Sequence, residues 1–163
     1  MSVEDVSFTV MAGETLAVVG ESGSGKSVTS LSIMGLVPNP PGRIVGGEIR
    51  LDGQRIDNLP YEAMRKIRGR QIGAIFQDPL TSLNPLYTIG RQLTETILTH
   101  LPVSEAEARQ RAIKLLKETG IQGAEQRIDQ YPHQFSGGMR QRVVIALALA
   151  AEPKLIVADE PTT

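Results

Sequence analysis

Apolar and polar residues change period several times along this chain, and each change marks an element. Residues 3–11 (VEDVSFTVM) alternate, with Val6, Phe8 and Val10 on one face, which predicts a strand. Ala12-Gly13-Glu14 make a turn, and residues 15–19 (TLAVV) predict a second, buried strand. Beyond Ser27, the apolar residues Val28, Leu31, Met34 and Leu36 fall near helical spacing. That helix must stop by Pro38, because Pro40 and Pro41 follow and proline cannot continue it. Residues 48–51 form a short strand ending in Asp52-Gly53, a hairpin signal. Residues 60–67 predict a short helix with Pro60 at its first turn.

The second half is written in longer helical periods. Residues 71–76 (QIGAIF) predict a strand, 81–86 a turn-rich connection and 89–98 a helix. Ser104 and Glu107 stand at capping-box spacing. The helix they open carries Ala108, Ala112, Leu115 and Leu116 on one stripe and ends at Gly120. Residues 83–134 thus read as a helical insert. Ser136-Gly137-Gly138 then opens a helix with Met139, Val143, Ala146, Leu147 and Ala150 on its inner stripe. From Val143 onward it is apolar on nearly every face, which predicts burial. Residues 154–158 (KLIVA) predict a fully buried strand with Asp159-Glu160-Pro161 at its tip. Strands alternating with helices give an α/β fold with a mostly parallel sheet, interrupted by the insert.

Composition narrows the class. A chain of 163 residues, 40% hydrophobic and 21% charged, is one domain's worth of globular protein. Net charge −1 and 4% aromatics argue against a nucleic-acid binder, which needs a basic surface and stacking rings. Without cysteine there is neither a disulfide framework nor a thiolate metal site. No stretch approaches the roughly 20 apolar residues of a membrane span, and the acidic N-terminus lacks signal-peptide features. The expected location is cytoplasmic.

Two stretches carry chemistry. Residues 16–27 (LAVVGESGSGKS) have the spacing G-x-x-x-x-G-K-[ST] of a phosphate-binding loop. Its glycines allow backbone N–H groups to approach an anion, and a helix starting near Lys26 adds its positive dipole end. The nucleotide-binding set is Gly20, Glu21, Ser22, Gly23, Ser24, Gly25, Lys26, Ser27 and Val28. Lys26 would reach the β- and γ-phosphates of ATP, and the Ser27 hydroxyl would take a Mg²⁺ position. The second stretch is the apolar run 155–158 followed by two acids. At the end of a buried strand, Asp159 could hold Mg²⁺, and Glu160 could act as general base or water-polarising group.

With these residues in place, the chain resembles the ATP-binding subunits of ABC transporters over essentially its whole length. Residues 20–27 match the Walker A loop, and 155–160 match Walker B plus the catalytic glutamate. Gln77 resembles the Q-loop glutamine, a nucleotide, metal and catalytic contact in that family. Residues 135–142 (FSGGMRQR) resemble the signature motif, which other phosphate-loop enzymes lack. The resemblance implies a P-loop core over 1–82 and 135–163 and a head-to-tail dimer with a second ATP-binding subunit. Ser136, Gly137 and Gly138 would then face ATP held by the partner. It further implies transmembrane permease subunits, an indirectly coupled substrate-binding protein, and a place on the cytoplasmic face of the membrane. Residues 78–100 would be the permease-docking segment, with Leu83 and Leu86 as its apolar contacts.

The wording FQDP, TSLNP, YPHQ and GGMRQR resembles the di- and oligopeptide importers, with nickel and glutathione importers close by. DNA-repair, chromosome-structure and translation-associated ATPases share the same motifs. The first two place a long coiled coil before the signature, and the interval from Ser27 to Ser136 holds no sustained heptads. Translation-associated proteins usually carry two tandem cassettes. Measured against the family, the chain starts after the adenine-stacking aromatic and ends before the D-loop and switch histidine. As such a fragment, it is expected to bind ATP weakly and to hydrolyse it poorly.

Overall fold

The computed structural model describes residues 3–76 and 82–161, which divide into two compact units, 1–66 and 67–163. In the first unit the phosphate-loop segment runs into α1 (Lys26–Ile33). Gly35, at φ 62, ends this helix with its N–H bonded to the Ser32 carbonyl, well before the prolines. A hairpin follows, β1 (Arg50–Leu51) paired antiparallel with β2 (Gln54–Arg55). Asp52 and Gly53 both have positive φ, 49 and 77, the signature of a type I′ turn. Helix α2 (Tyr61–Ile67) follows Pro60, and the division between units falls near its end. Met34, Ile56 and Met64 are the buried apolar residues of the first unit.

Two expected strands of this unit do not form. Among the described residues, neither 3–11 nor 15–19 has a ladder partner. Val6, Phe8, Leu16 and Val18 are exposed, and Val19 is 88% exposed. Alternation makes a segment suited to a sheet, but a strand exists only through hydrogen bonds to a neighbour. The turn between the two segments does form, with Glu14 N–H on the Met11 carbonyl (3.0 Å) and Met11 N–H on Glu14 Oε2 (2.8 Å).

The second unit holds the main core. Strand β3 (Ile72–Ile75) pairs in parallel with β4 (Leu155–Ala158), Ile72 opposite Leu155 and Ile75 opposite Ala158. Between them come α3 (Ile89–His100), α4 (Glu105–Glu118), α5 (Ala124–Arg127), a 3₁₀ turn (Pro132–Gln134) and α6 (Gly137–Leu149). The capping box opens α4 as expected, with Glu107 N–H on Ser104 Oγ and Ser104 N–H on Glu107 Oε2. Ile89, Leu93 and Ile97 of α3, Ala108, Ala112 and Leu116 of α4, and Val143 and Ala146 of α6 share one cluster. Helix α6 packs on α3, α4 and β3, so its buried residues are not confined to one stripe.

Strand β4 is less buried than its composition suggests. Only Val157 is buried, and Ala158 is exposed. Its one ladder neighbour among the described residues is β3.

The hairpin of the first unit supplies a pH test. Asp57 accepts from Ile49 N–H (2.8 Å) and from the Arg55 guanidinium (2.8 Å), and only 6% of its side chain is exposed. Arg55 first, then the Ile49 amide, hold its pKa down to about 2 against burial. A carboxyl with a depressed folded pKa stabilises fully above its unfolded value, here 3.8, and loses that contribution as pH falls through the folded value. Urea midpoints of the first unit should therefore drop between about pH 4 and pH 2. The Asp57→Asn variant should be less stable near neutrality and should show a flatter acid limb.

Candidate nucleotide site

Residues 20–26 curl around the Lys26 ammonium. Lys26 Nζ donates to the carbonyls of Gly20 (2.8 Å) and Glu21 (2.9 Å), and Ser24 N–H bonds the Glu21 carbonyl (3.2 Å). A long cation folded back on its own loop offsets the converging carbonyl dipoles. Gly25, at φ 103, is the N-cap of α1, a conformation a residue with Cβ rarely holds. A Cβ there would also lie 2.6 Å from Val3 Cγ2. No side chain caps this helix, and its first turn contains no acid. Within a helix the first N–H groups have no carbonyl to bond, so this end favours an anion from outside. Ser22, Ser24 and Ser27 are exposed around it, and Val28 is half-buried.

In the second unit the acidic pair sits at the C-terminal end of the β3–β4 ladder. Asp159 N–H donates to the Ile75 carbonyl (2.9 Å), extending the pairing one residue past β4. Ligands collect at this edge of parallel sheets. Glu160 is exposed and adopts φ 49, a left-handed conformation that costs energy outside glycine. Gln77, next after Phe76, lies outside the described residues.

The signature stretch begins α6. Ser136 is the N-cap, its Oγ accepting from Met139 N–H (3.3 Å). Phe135 anchors the turn from below, 2% exposed, with its N–H on the Pro132 carbonyl (3.1 Å). Among the described residues, a Cβ at Gly137 or Gly138 would meet nothing within 4 Å, and neither glycine has positive φ. Both positions would accept a Cβ without a clash among the described residues. Upstream, His133 stacks on Tyr131 with centroids 5.7 Å apart, and Tyr131 N–H bonds Gln134 Oε1, which closes the turn.

Two contacts escaped the sequence reading. Gln141 Nε2 donates to the Pro161 carbonyl, tying the signature helix to the segment after Glu160. Arg140 Nε donates to the Phe135 carbonyl (3.0 Å). Their only sequence signal was a run of long polar residues at the start of an otherwise apolar helix.

The segment after Gln77 separates its two leucines. Leu83 is 4% exposed and belongs to the core, whereas Leu86 is 79% exposed. Leu83 is therefore not available as a docking contact, because the core has already taken its side chain. Gln92 braces the turn: its Oε1 accepts from Asn84 N–H (2.9 Å), and its Nε2 donates to the carbonyls of Asn84 and Tyr87 (3.0 Å each). Arg91 lies over the Tyr87 ring, 3.8 Å from its centroid.

The donor set suits magnesium in kind. Ser27 and Asp159 offer hard oxygen atoms, and no cluster of three or more His, Cys, Asp or Glu occurs among the described residues.

The sequence profile described as ABC transporter matches residues 3–163. The chain is 55% identical to the oligopeptide transport ATP-binding protein OppD of Bacillus subtilis, over 99% of its own length and 45% of that protein's. It is 49% identical to the dipeptide transport ATP-binding protein DppD of Escherichia coli, over 99% of its length and 49% of that protein's. The chain thus spans about half the length of these curated relatives. Among solved structures, it resembles a dimeric, post-hydrolysis ATP-binding cassette bound to ADP and Pi. The TM-score is 0.81 at 34% identity, covering 95% of this chain and 64% of that one.

The glycines of the two turns should respond to alanine with opposite signs. Gly25→Ala meets both a positive φ and Val3, and should destabilise the first unit by about 1–2 kcal/mol in denaturant melts. Gly137→Ala, in open space at a helix start, should be neutral or raise stability by up to about 1 kcal/mol.

Proposed function

Because this chain belongs to the ABC transporter family, with the P-loop α/β fold of its cassettes, we propose that it is the ATP-binding, ATP-hydrolysing part of an importer of peptides. The observation that carries the reading is the start of α1. A left-handed glycine, an uncapped helix end and a lysine already turned toward the loop make a seat for a polyphosphate. Lys26 exchanges its loop carbonyls for the β- and γ-phosphate oxygens of ATP, while backbone N–H groups of residues 23–28 take the remaining charge. Ser27 and Asp159 would hold Mg²⁺, which would neutralise charge on the phosphate oxygens. Glu160 takes the proton of the attacking water as it forms its bond to the γ-phosphorus and ADP leaves. Gln77 contributes a further metal and water contact.

The signature turn serves a second copy or a sister subunit. Ser136, Gly137 and Gly138 approach the γ-phosphate bound by the partner, at a helix start where a Cβ would meet nothing within 4 Å among the described residues. Core residues 1–82 and 135–163 close on ATP, the insert 83–134 moves with them, and the turn that displays Leu86 passes the motion to membrane-embedded permeases. A substrate-binding protein delivers the cargo on the far side. No helix among the described residues is long and apolar enough to cross a membrane, and the proposed place is peripheral, on the cytoplasmic face. Peptide cargo is supported by the names of relatives such as OppD and DppD.

Nucleotide binding is tested directly with a fluorescent ATP analogue. The chain should bind it with Mg²⁺ present, and Lys26→Ala should weaken binding by about tenfold or more. Equal binding by the variant, or none by the parent, would remove the reading. In the assembled transporter, Leu86→Asp should abolish transport while ATP hydrolysis continues. Unchanged transport would move the docking surface elsewhere.

A further inference from the structure

We infer that Arg140 is a positioning residue for the signature turn, holding Ser136, Gly137 and Gly138 in the orientation that a partner's nucleotide requires. The inference rests on the dimer reading above. Its basis is a closed ring of contacts at the start of α6. Arg140 is half-buried, and its Nε reaches back five residues to the Phe135 carbonyl (3.0 Å), while its own N–H bonds the Ser136 carbonyl (2.9 Å). The side chain therefore bridges the first turn of the helix to the residue before the N-cap. Phe135 is fixed on its other side by burial and by the Pro132 carbonyl.

Without this bridge the turn keeps the Arg140 N–H bond to the Ser136 carbonyl and the Ser136 Oγ···Met139 N–H bond, which at 3.3 Å is long. The two glycines carry no side chain to pack, and among the described residues nothing lies within 4 Å of either Cβ position. Glycine loses more conformational freedom on ordering than any other residue, so an unbraced Ser-Gly-Gly turn would bind its phosphate at an entropic cost. A charge-assisted bond to Phe135 removes that cost beforehand. Arg140 itself touches no nucleotide in this scheme. It acts through the turn.

The intact protein carrying Glu160→Gln, to stop turnover, supplies the test. ATP-driven dimerisation is followed by light scattering, and ATP binding to the separate subunit by the fluorescent analogue. Arg140→Ala should raise the ATP concentration for half-maximal dimerisation by about tenfold, the worth of one charge-assisted bond. Binding by the separate subunit should not change. Arg140→Lys, which keeps a cationic donor, should recover most of the loss, and Arg140→Met, which keeps the length and removes the donor, should show the same loss and carries the test if the alanine variant does not fold. Arg109→Ala, which removes an exposed arginine paired with Asp129, is the control and should dimerise like the parent.

Dimerisation of Arg140→Ala at the parent's ATP concentration overturns the inference and leaves the dimer reading intact. An equal loss in Arg109→Ala, or no recovery in Arg140→Lys, also overturns it. If the parent binds ATP and never dimerises, the dimer reading fails and the inference falls with it.

Discussion

The parallel pairing of Ile72–Ile75 with Leu155–Ala158 is the constraint on which the second unit depends. Parallel strands cannot be joined by a tight turn and need a crossover. Here the crossover contains every helix from α3 to α6. Closing so long a loop is costly, and the cost is offset by the shared apolar cluster that the helices build on the way. Gly73 shows how closely that layer sits. A Cβ there would lie 2.6 Å from Ile156 Cδ1 and 3.1 Å from Pro153 Cγ, with the Ala148 carbonyl at the same spot. The acidic tip is a one-residue extension of the ladder through Asp159 N–H, and the signature turn is the far end of the helix lying over β3. The acidic tip and the signature turn both inherit their placement from one pair of short strands.

A second theme is the use of long cations against backbone carbonyls. Lys26 closes the phosphate loop, and Arg140 closes the signature turn. Arg70 Nη1 reaches the Ala151 carbonyl (2.8 Å) just past α6, and Arg142 Nη1 reaches the Gly120 carbonyl (2.8 Å) just past α4. The last two sit where helix dipoles leave partial negative charge, so each arginine satisfies an orphan acceptor and meets a favourable field. These contacts join segments from 5 to 81 residues apart in sequence. They account for how a chain with net charge −1 uses many of its cations internally.

Local chemistry made much of this fold legible in the sequence. The capping box at Ser104, the Asp52-Gly53 turn, the stop at Gly120 and the start of α1 at Lys26 each depend on residues within one turn of each other. Features that depend on distant partners were not legible. The run 15–19 has strand composition and no ladder partner among the described residues, and 154–158 is less buried than an all-apolar run suggests. Leu83 and Leu86 look alike in the sequence, yet the core claims one and leaves the other exposed. Periodicity cannot separate two leucines three residues apart in a turn. The link from Gln141 to Pro161 was equally hidden, since nothing local marks a glutamine that reaches a carbonyl twenty residues on.

The bare apolar stretch ahead of the phosphate loop has a practical side. Val18 and Val19 stand largely in solvent beside backbone that no neighbouring strand engages among the described residues, with Val6 and Phe8 also uncovered. Such a ribbon is a template for edge-to-edge association between molecules. A nearly neutral chain offers little mutual repulsion to oppose it. In a purified polypeptide these first twenty residues are the predicted site of self-association, in contrast to the well-packed helical half.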